Sequence, residues 1–308
     1  MFWKFVDKTS ALSYSQRRYP AGLAVRVKTE GKEPLAMMKS GKFFETAPGI
    51  SIHYVDKGQG TPIIFVPGWG FSLDAFEKQV EYFSKDYRVI CVDPRAHGRS
   101  TVTDLGYDHM SHAQDIVNLI NYLDLKDIVL VGWSFGAYET WGVIRLIGLD
   151  NIKGLFNIDM PPRALVDDET TEWHETTLAD FKDAMQSVRN QADFLDFVGG
   201  GAPILYTGGY TEDDVLFLRD NTHTPYHIAM ATYATGITSD FRPEAQLADA
   251  CPTCHTEFMI AEHWADLGKP YMEKLCPNTK IHVLGGHLAF YQYHETFNKL
   301  FEEFLKKC

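Results

Sequence analysis

Residues 128–137 read Ile-Val-Leu-Val-Gly-Trp-Ser-Phe-Gly-Ala, and the reading of this stretch decides the fold. Four aliphatic residues, Ile128 to Val131, have the composition of a strand buried on both faces. The pattern from Phe135 to about Ile147 is helical, so Ser134 stands where a strand passes directly into a helix. A turn that sharp strains the residue at its tip and pushes the side chain out above the sheet. Glycines two before and two after are required, because side chains at Gly132 and Gly136 would collide across the turn. The helix that follows aims its first N–H groups at negative charge developing on a substrate. Ser134 therefore reads as a nucleophile rather than as a bare turn residue.

The neighbouring sequence repeats the strand–helix alternation. Ile50–Val55 alternates with period two, Lys57–Gly60 is a turn, and Pro62–Val66 is fully apolar. Ser72 caps a helix running to about Phe83, and Tyr87–Val92 is a further strand. Ile116, Leu119, Ile120 and Leu123 form one apolar helical stripe. Ile152–Ile158 is the next strand. The alternation stops at Pro161-Pro162 and resumes with strands at Thr256–Ala261 and Lys280–Leu284, ending in a helix from about Tyr291 to Phe304. A parallel sheet wrapped by helices follows. The expected organisation is an N-terminal arm over 1–41, an α/β core over 42–162 and 242–308, and an inserted lid over 163–241. The insertion, at about 80 residues, is too long for an ordinary loop. The basic arm suits packing on the core or on a second subunit of a homodimer.

Composition narrows the partners. The 308 residues carry 29 Lys+Arg against 41 Asp+Glu, a net charge of −12. Such a surface repels phosphate backbones and anionic membranes, so neither nucleic acid nor a membrane surface is an expected partner. No segment has the length of a membrane span, and Lys4, Asp7 and Lys8 interrupt any signal-like apolar stretch. A cytoplasmic protein is the expectation. Five cysteines are too few for a disulfide framework. Cys251-Pro252-Thr253-Cys254-His255 matches a haem-attachment spacing, but a strand rather than a helix follows it. Cys276 is the only further cysteine near enough to complete a zinc site. The motif is therefore read as a loop, and neither a cofactor nor a metal is expected.

A serine nucleophile needs a base. Leu284-Gly285-Gly286-His287 follows the last strand and brings His287 to the sheet edge that Ser134 faces. His97 in a Gly/Arg loop, His112 on a helix, and His223 and His227 in the insertion are less apt. Acyl transfer also needs donors for an oxyanion. Pro67-Gly68-Trp69-Gly70 leaves the first apolar strand and presents the Trp69 N–H, and Phe135 N–H is the second donor. Asp93, Arg95, Gly98 and Ser100 in DPRAHGRS suit a turn-stabilising network.

PGWGFS at 67–72, DPRAHGRS at 93–100, GWSFG at 132–136 and GGH at 285–287, in that order, resemble the α/β-hydrolase superfamily. The resemblance runs from about residue 42 to the C-terminus and is nearest to small bacterial carboxylesterases and cofactor-free haloperoxidases (perhydrolases). It implies an α/β fold with a mostly parallel eight-stranded sheet, a lid after the sixth strand and a Ser–acid–His triad. The family usually has His-Gly at the oxyanion loop, where this chain has Pro67-Gly68. The family's acid usually lies three residues past the end of strand seven, where this chain has Trp264, with Glu262 and Asp266 out of register. Asp159, at the tip of strand six, is similar in place to the acid of some haloalkane dehalogenases. Asp159 ranks first, Asp266 second and Glu262 third; the bland alternative for Asp159 is an ion pair with Arg163.

The expected chemistry is hydrolysis of a small or medium apolar carboxylic ester or lactone through an acyl-enzyme on Ser134, with His287 as base. Trp133, Trp173 and Tyr206 are the expected pocket residues. C–C bond hydrolysis or perhydrolysis could use the same residues, and a non-catalytic ligand-binding homologue is the alternative from another class.

Overall fold

In the computed structural model, residues 41–166 and 172–308 are described. The expected N-terminal arm falls, apart from residue 41, outside them. The elements in chain order are β1 (Lys42–Ala47), β2 (Ile50–Lys57), β3 (Pro62–Val66), α1 (Glu77–Phe83), β4 (Arg88–Val92), α2 (His109–Tyr122), β5 (Ile128–Trp133), α3 (Gly136–Ile147) and β6 (Ile152–Ile158). Two short strands, β7 (Leu165–Val166) and β8 (Thr176–Thr177), lead into α4 (Leu178–Ser187), α5 (Gln191–Gly200), α6 (Ala202–Leu205), α7 (Glu212–Asp220), α8 (Tyr226–Ile237) and α9 (Arg242–Asp249). The chain then completes the sheet with β9 (His255–Ile260), α10 (Ala265–Leu275), β10 (Lys280–Val283), α11 (Ala289–Gln292) and α12 (His294–Leu305).

Eight strands form one sheet in the order β1-β2-β4-β3-β5-β6-β9-β10. The two pairings of β2 are antiparallel, and every pairing from β4 to β10 is parallel. The all-apolar strands take the centre: every residue of β3 and β5 is buried. Strand β1 carries no period-two signal in its sequence, and its Phe43 is exposed; it joins the sheet by pairing with β2. Helices cover both faces. One face holds a run of phenylalanines, in which Phe65, Phe156, Phe297 and Phe304 all contact Phe301. On the other, Trp141 lies parallel to Phe241 and Phe258.

Strand β3 lies between β4 and β5, so the chain reverses its direction of winding at that point. Open parallel sheets bind ligands at the C-terminal ends of the strands flanking such a reversal. The turns after β3 and β5, which carry Trp69 and Ser134, therefore meet there.

Candidate active site

Ser134 has φ of +54°, a left-handed conformation costly for a residue with a side chain. Its N–H is held by the Ile158 carbonyl at 2.9 Å. The flanking glycines are imposed by sterics. A Cβ on Gly132 would lie 2.5 Å from the Gly136 carbonyl oxygen, and one on Gly136 would lie 2.3 Å from that of Val66. The Gly68–Trp69 backbone crosses close above the serine; a Cβ on Gly68 would stand 2.9 Å from Ser134 Cβ. Among the described residues, the backbone N–H groups of Trp69 and Phe135 have no hydrogen-bond partner, and both residues line the cleft that Ser134 lines. Unpaired N–H groups beside a half-buried serine hydroxyl form a ready site for an oxyanion.

His287 follows β10 on a loop fixed at three points. Its N–H donates to the Ile204 carbonyl at 3.0 Å, its carbonyl accepts from Trp133 Nε1 at 2.8 Å, and its ring Nδ1 lies 2.6 Å from Asp159 Oδ2. Asp159 is a left-handed residue at the end of β6, with φ of +52° and almost no exposure. Its N–H donates to the Met259 carbonyl at 2.7 Å, and its other carboxylate oxygen accepts from the Ala261 N–H at 2.8 Å. A carboxylate so supported fixes the imidazole tautomer, with the proton on Nδ1.

The other candidate acids are placed elsewhere. Asp266 is exposed in the first turn of α10. Glu262 is exposed and accepts from the Gly285 N–H at 3.2 Å. Trp264 is buried, a core residue where a carboxylate was expected. Arg163 lies 3.8 Å from Glu172, so its ion pair is with that residue rather than with Asp159.

The cleft over Ser134 is lined by aromatic and aliphatic side chains from both halves of the chain. Trp133 lines it as expected. Trp173 and Tyr206 are not among the residues that line it. Trp173 is driven into the core against Phe258, with Gly268 packed on its ring. Tyr206 faces a separate surface hollow beside Glu262 and His263. The lining includes Phe197 from α5, Tyr233 from α8 and Glu175 just before α4. Glu175 was missed because it belongs to no motif and precedes its helix on an irregular stretch. Burial, reinforced by the charge of Asp159 and opposed by the imidazole of His287, pushes its carboxyl up to about 7. Glu175 and Asp180 are the acidic residues of the lining, and no Lys or Arg is among the described lining residues.

The DPRAHGRS turn forms the network expected of it. Asp93 accepts from His53 Nδ1 and from the N–H groups of Leu73 and Arg99, and Arg95 makes a two-pronged pair with Asp115. Cys254 is buried, and burial pushes its thiol up to about 12, opposite to the shift that activates a redox cysteine.

Residues 61–194 match the family model described as alpha/beta hydrolase fold. A non-heme chloroperoxidase of Kitasatospora aureofaciens is 34% identical over 122 residues, covering 39% of this chain and 44% of that protein. A bifunctional esterase/perhydrolase of Acinetobacter calcoaceticus is 32% identical over 131 residues, covering 42% and 48% respectively. The chain spans about half the length of the curated relatives it matches. The crystal structure of a bromoperoxidase from Bacillus anthracis superposes with a TM-score of 0.78 at 23% identity, covering 87% of this chain and 100% of that one. No helix among the described residues is long and apolar enough to cross a membrane. With its elbow, its strand order and these likenesses together, the chain has the α/β-hydrolase fold.

Proposed function

We propose that this protein is a serine hydrolase acting on a small or medium, uncharged, apolar carboxylic ester or lactone. The observation that carries this reading is the 2.6 Å contact of His287 Nδ1 with Asp159, on a ring that lines one apolar cleft with Ser134. Ser134 Oγ attacks the acyl carbonyl while His287 Nε2 takes its proton. The Trp69 and Phe135 N–H groups receive the oxyanion, and Asp159 stabilises the imidazolium as it forms. His287 then protonates the leaving alcohol and activates water to cleave the acyl-enzyme. No Lys or Arg is among the described residues of the lining, which supports an uncharged substrate.

Perhydrolysis is the second reading, supported by the names of the haloperoxidase and esterase/perhydrolase relatives. Hydrogen peroxide in place of water would cleave the same acyl-enzyme, releasing a peracid and restoring Ser134. A fluorophosphonate probe tests the nucleophile: the wild type should label and Ser134→Ala should not. An unlabelled wild type would count against both readings. Turnover of p-nitrophenyl esters with and without hydrogen peroxide, followed by peracid release, separates the two.

A further inference from the structure

Away from the cleft, α2 and α3 bury a second group of chemically active side chains. His109 and His112 lie one helical turn apart and share a face of α2. Glu139 faces them from the first turn of α3. The two helices approach closely, since a Cβ on Gly142 of α3 would stand 2.7 Å from the Ala113 methyl. His112 Nδ1 is 2.7 Å from Glu139 Oε1, and His109 Nδ1 is 3.4 Å from the same oxygen. The ligand atoms of the three residues lie within 4.8 Å of one another.

This group is poorly satisfied for its depth. All three residues are at most 3% exposed. Glu139 Oε2, His112 Nε2 and both ring nitrogens of His109 have no hydrogen-bond partner. A contact of 3.4 Å from His109 is long for an N–H···O bond. Leaving a buried polar atom unpaired is costly, and four close together call for an explanation. On its far side His109 Nε2 is blocked by α8: a Cβ on Gly236 would lie 2.6 Å from it. Nδ1 is thus the nitrogen turned towards Glu139.

The geometry points to a buried divalent metal site of the Zn²⁺ class, held by His109, His112 and Glu139. Two imidazoles and one carboxylate are the donor set of a borderline-soft cation, whereas Mg²⁺ and Ca²⁺ prefer oxygen alone. In a tetrahedral zinc site adjacent ligand atoms stand about 3.3 Å apart, and the contacts of 2.7 and 3.4 Å bracket that separation. On binding, the ring proton of His112 moves from Nδ1 to Nε2 and the ion replaces the hydrogen bond to Glu139. The site is distinct from the Ser134 cleft but touches its support: the His109 ring packs on Phe135, with centroids 5.1 Å apart. A metal here would lock α2 to the helix that follows the elbow, a departure from the metal-free chain expected of the sequence.

The full chain, stripped with a chelator and dialysed, should take up one Zn²⁺ per molecule in competition with a chromophoric chelator. Its melting temperature should rise with Zn²⁺ concentration. Co²⁺ should give visible d–d bands without the intense near-ultraviolet band of a thiolate ligand. His109→Phe and His112→Phe should each lose stoichiometric binding, while the Cys251→Ser, Cys254→Ser double variant should keep it. The proposal is overturned if the wild type binds Zn²⁺ no more tightly than the histidine variants. A thiolate band, or binding lost only with the cysteines, overturns it equally. The Zn²⁺ stoichiometry and the Co²⁺ spectrum are read on the wild-type chain, and a wild type that takes up no Zn²⁺ overturns the proposal whether or not the variants fold.

Discussion

The molecule contains two buried imidazole–carboxylate pairs of almost the same length, His287–Asp159 at 2.6 Å and His112–Glu139 at 2.7 Å. They differ in what surrounds them. Asp159 has a backbone N–H on its second oxygen, and the imidazole it orients borders an open cleft. Glu139 has no partner on its second oxygen, and the histidines around it are closed in by α2, α3 and α8. Pairing an imidazole with a carboxylate therefore does not by itself make a catalytic base. A cleft beside the imidazole and full support of the carboxylate distinguish the first pair and underlie its proposed role as a base, while enclosure and unpartnered atoms distinguish the second and underlie the proposed ion site.

The largest effect should come from the first pair. Asp159→Asn should lower kcat/KM on a p-nitrophenyl ester by about 10³- to 10⁴-fold, because the amide no longer fixes the imidazole tautomer or offsets its charge. Asp266→Asn should stay close to the wild type. Equal losses in the two variants, or full activity in Asp159→Asn, would remove the proposed acid.

A smaller effect should follow from Glu175, which borders the same cleft. Its folded-state pKa of about 7 lies above the ordinary glutamate value. Between pH 4.5 and about 7 the folded chain keeps this proton while the unfolded chain releases it. This group's contribution to stability therefore falls as pH rises through that window, then levels off. Catalysis should follow the same direction, since an ionised Glu175 places a second negative charge near Asp159 and the forming oxyanion. Glu175→Gln should flatten the decline of the urea midpoint and raise kcat/KM at pH 9 up to about tenfold over the wild type, roughly one pKa unit of interaction. An alkaline limb unchanged by the substitution would show that Glu175 does not face the reacting atoms.

The second pair should respond least in turnover. Replacing His109, His112 and Glu139 together by Leu removes the whole polar group rather than stranding one member. Such exchanges are neutral or stabilising by about 1–4 kcal/mol. Thermal unfolding in chelator should show a variant at least as stable as the wild type, with ester turnover little changed. Marked destabilisation would mean that the three residues hold the helices together without any ion.

Much of the fold was legible because its signals are local. Apolar runs such as Ile63–Val66 and Ile128–Val131 have no stable place except the sheet interior. The backbone around Ser134 leaves glycine as the fitting residue at positions 132 and 136. The pocket was harder to read. Trp173 and Tyr206 look like pocket aromatics in a list of residues, but hydrophobic burial is non-directional and serves a core as well as a cleft. Glu175 gave no signal, since a carboxylate in an irregular stretch is ordinarily solvated.

The sequence by itself determined the strand–turn–helix around Ser134, the order of Ser134 and His287, and the alternation that makes a parallel sheet. These follow from sterics and periodicity over a few residues. Only the tertiary structure decided which carboxylate meets the imidazole and where His109, His112 and Glu139 gather. Asp159 and His287 are 128 residues apart in the chain, and His112 and Glu139 are 27 apart. Strand order brings the first pair together and the close packing of α2 on α3 brings the second, and neither contact is encoded in any short stretch of sequence.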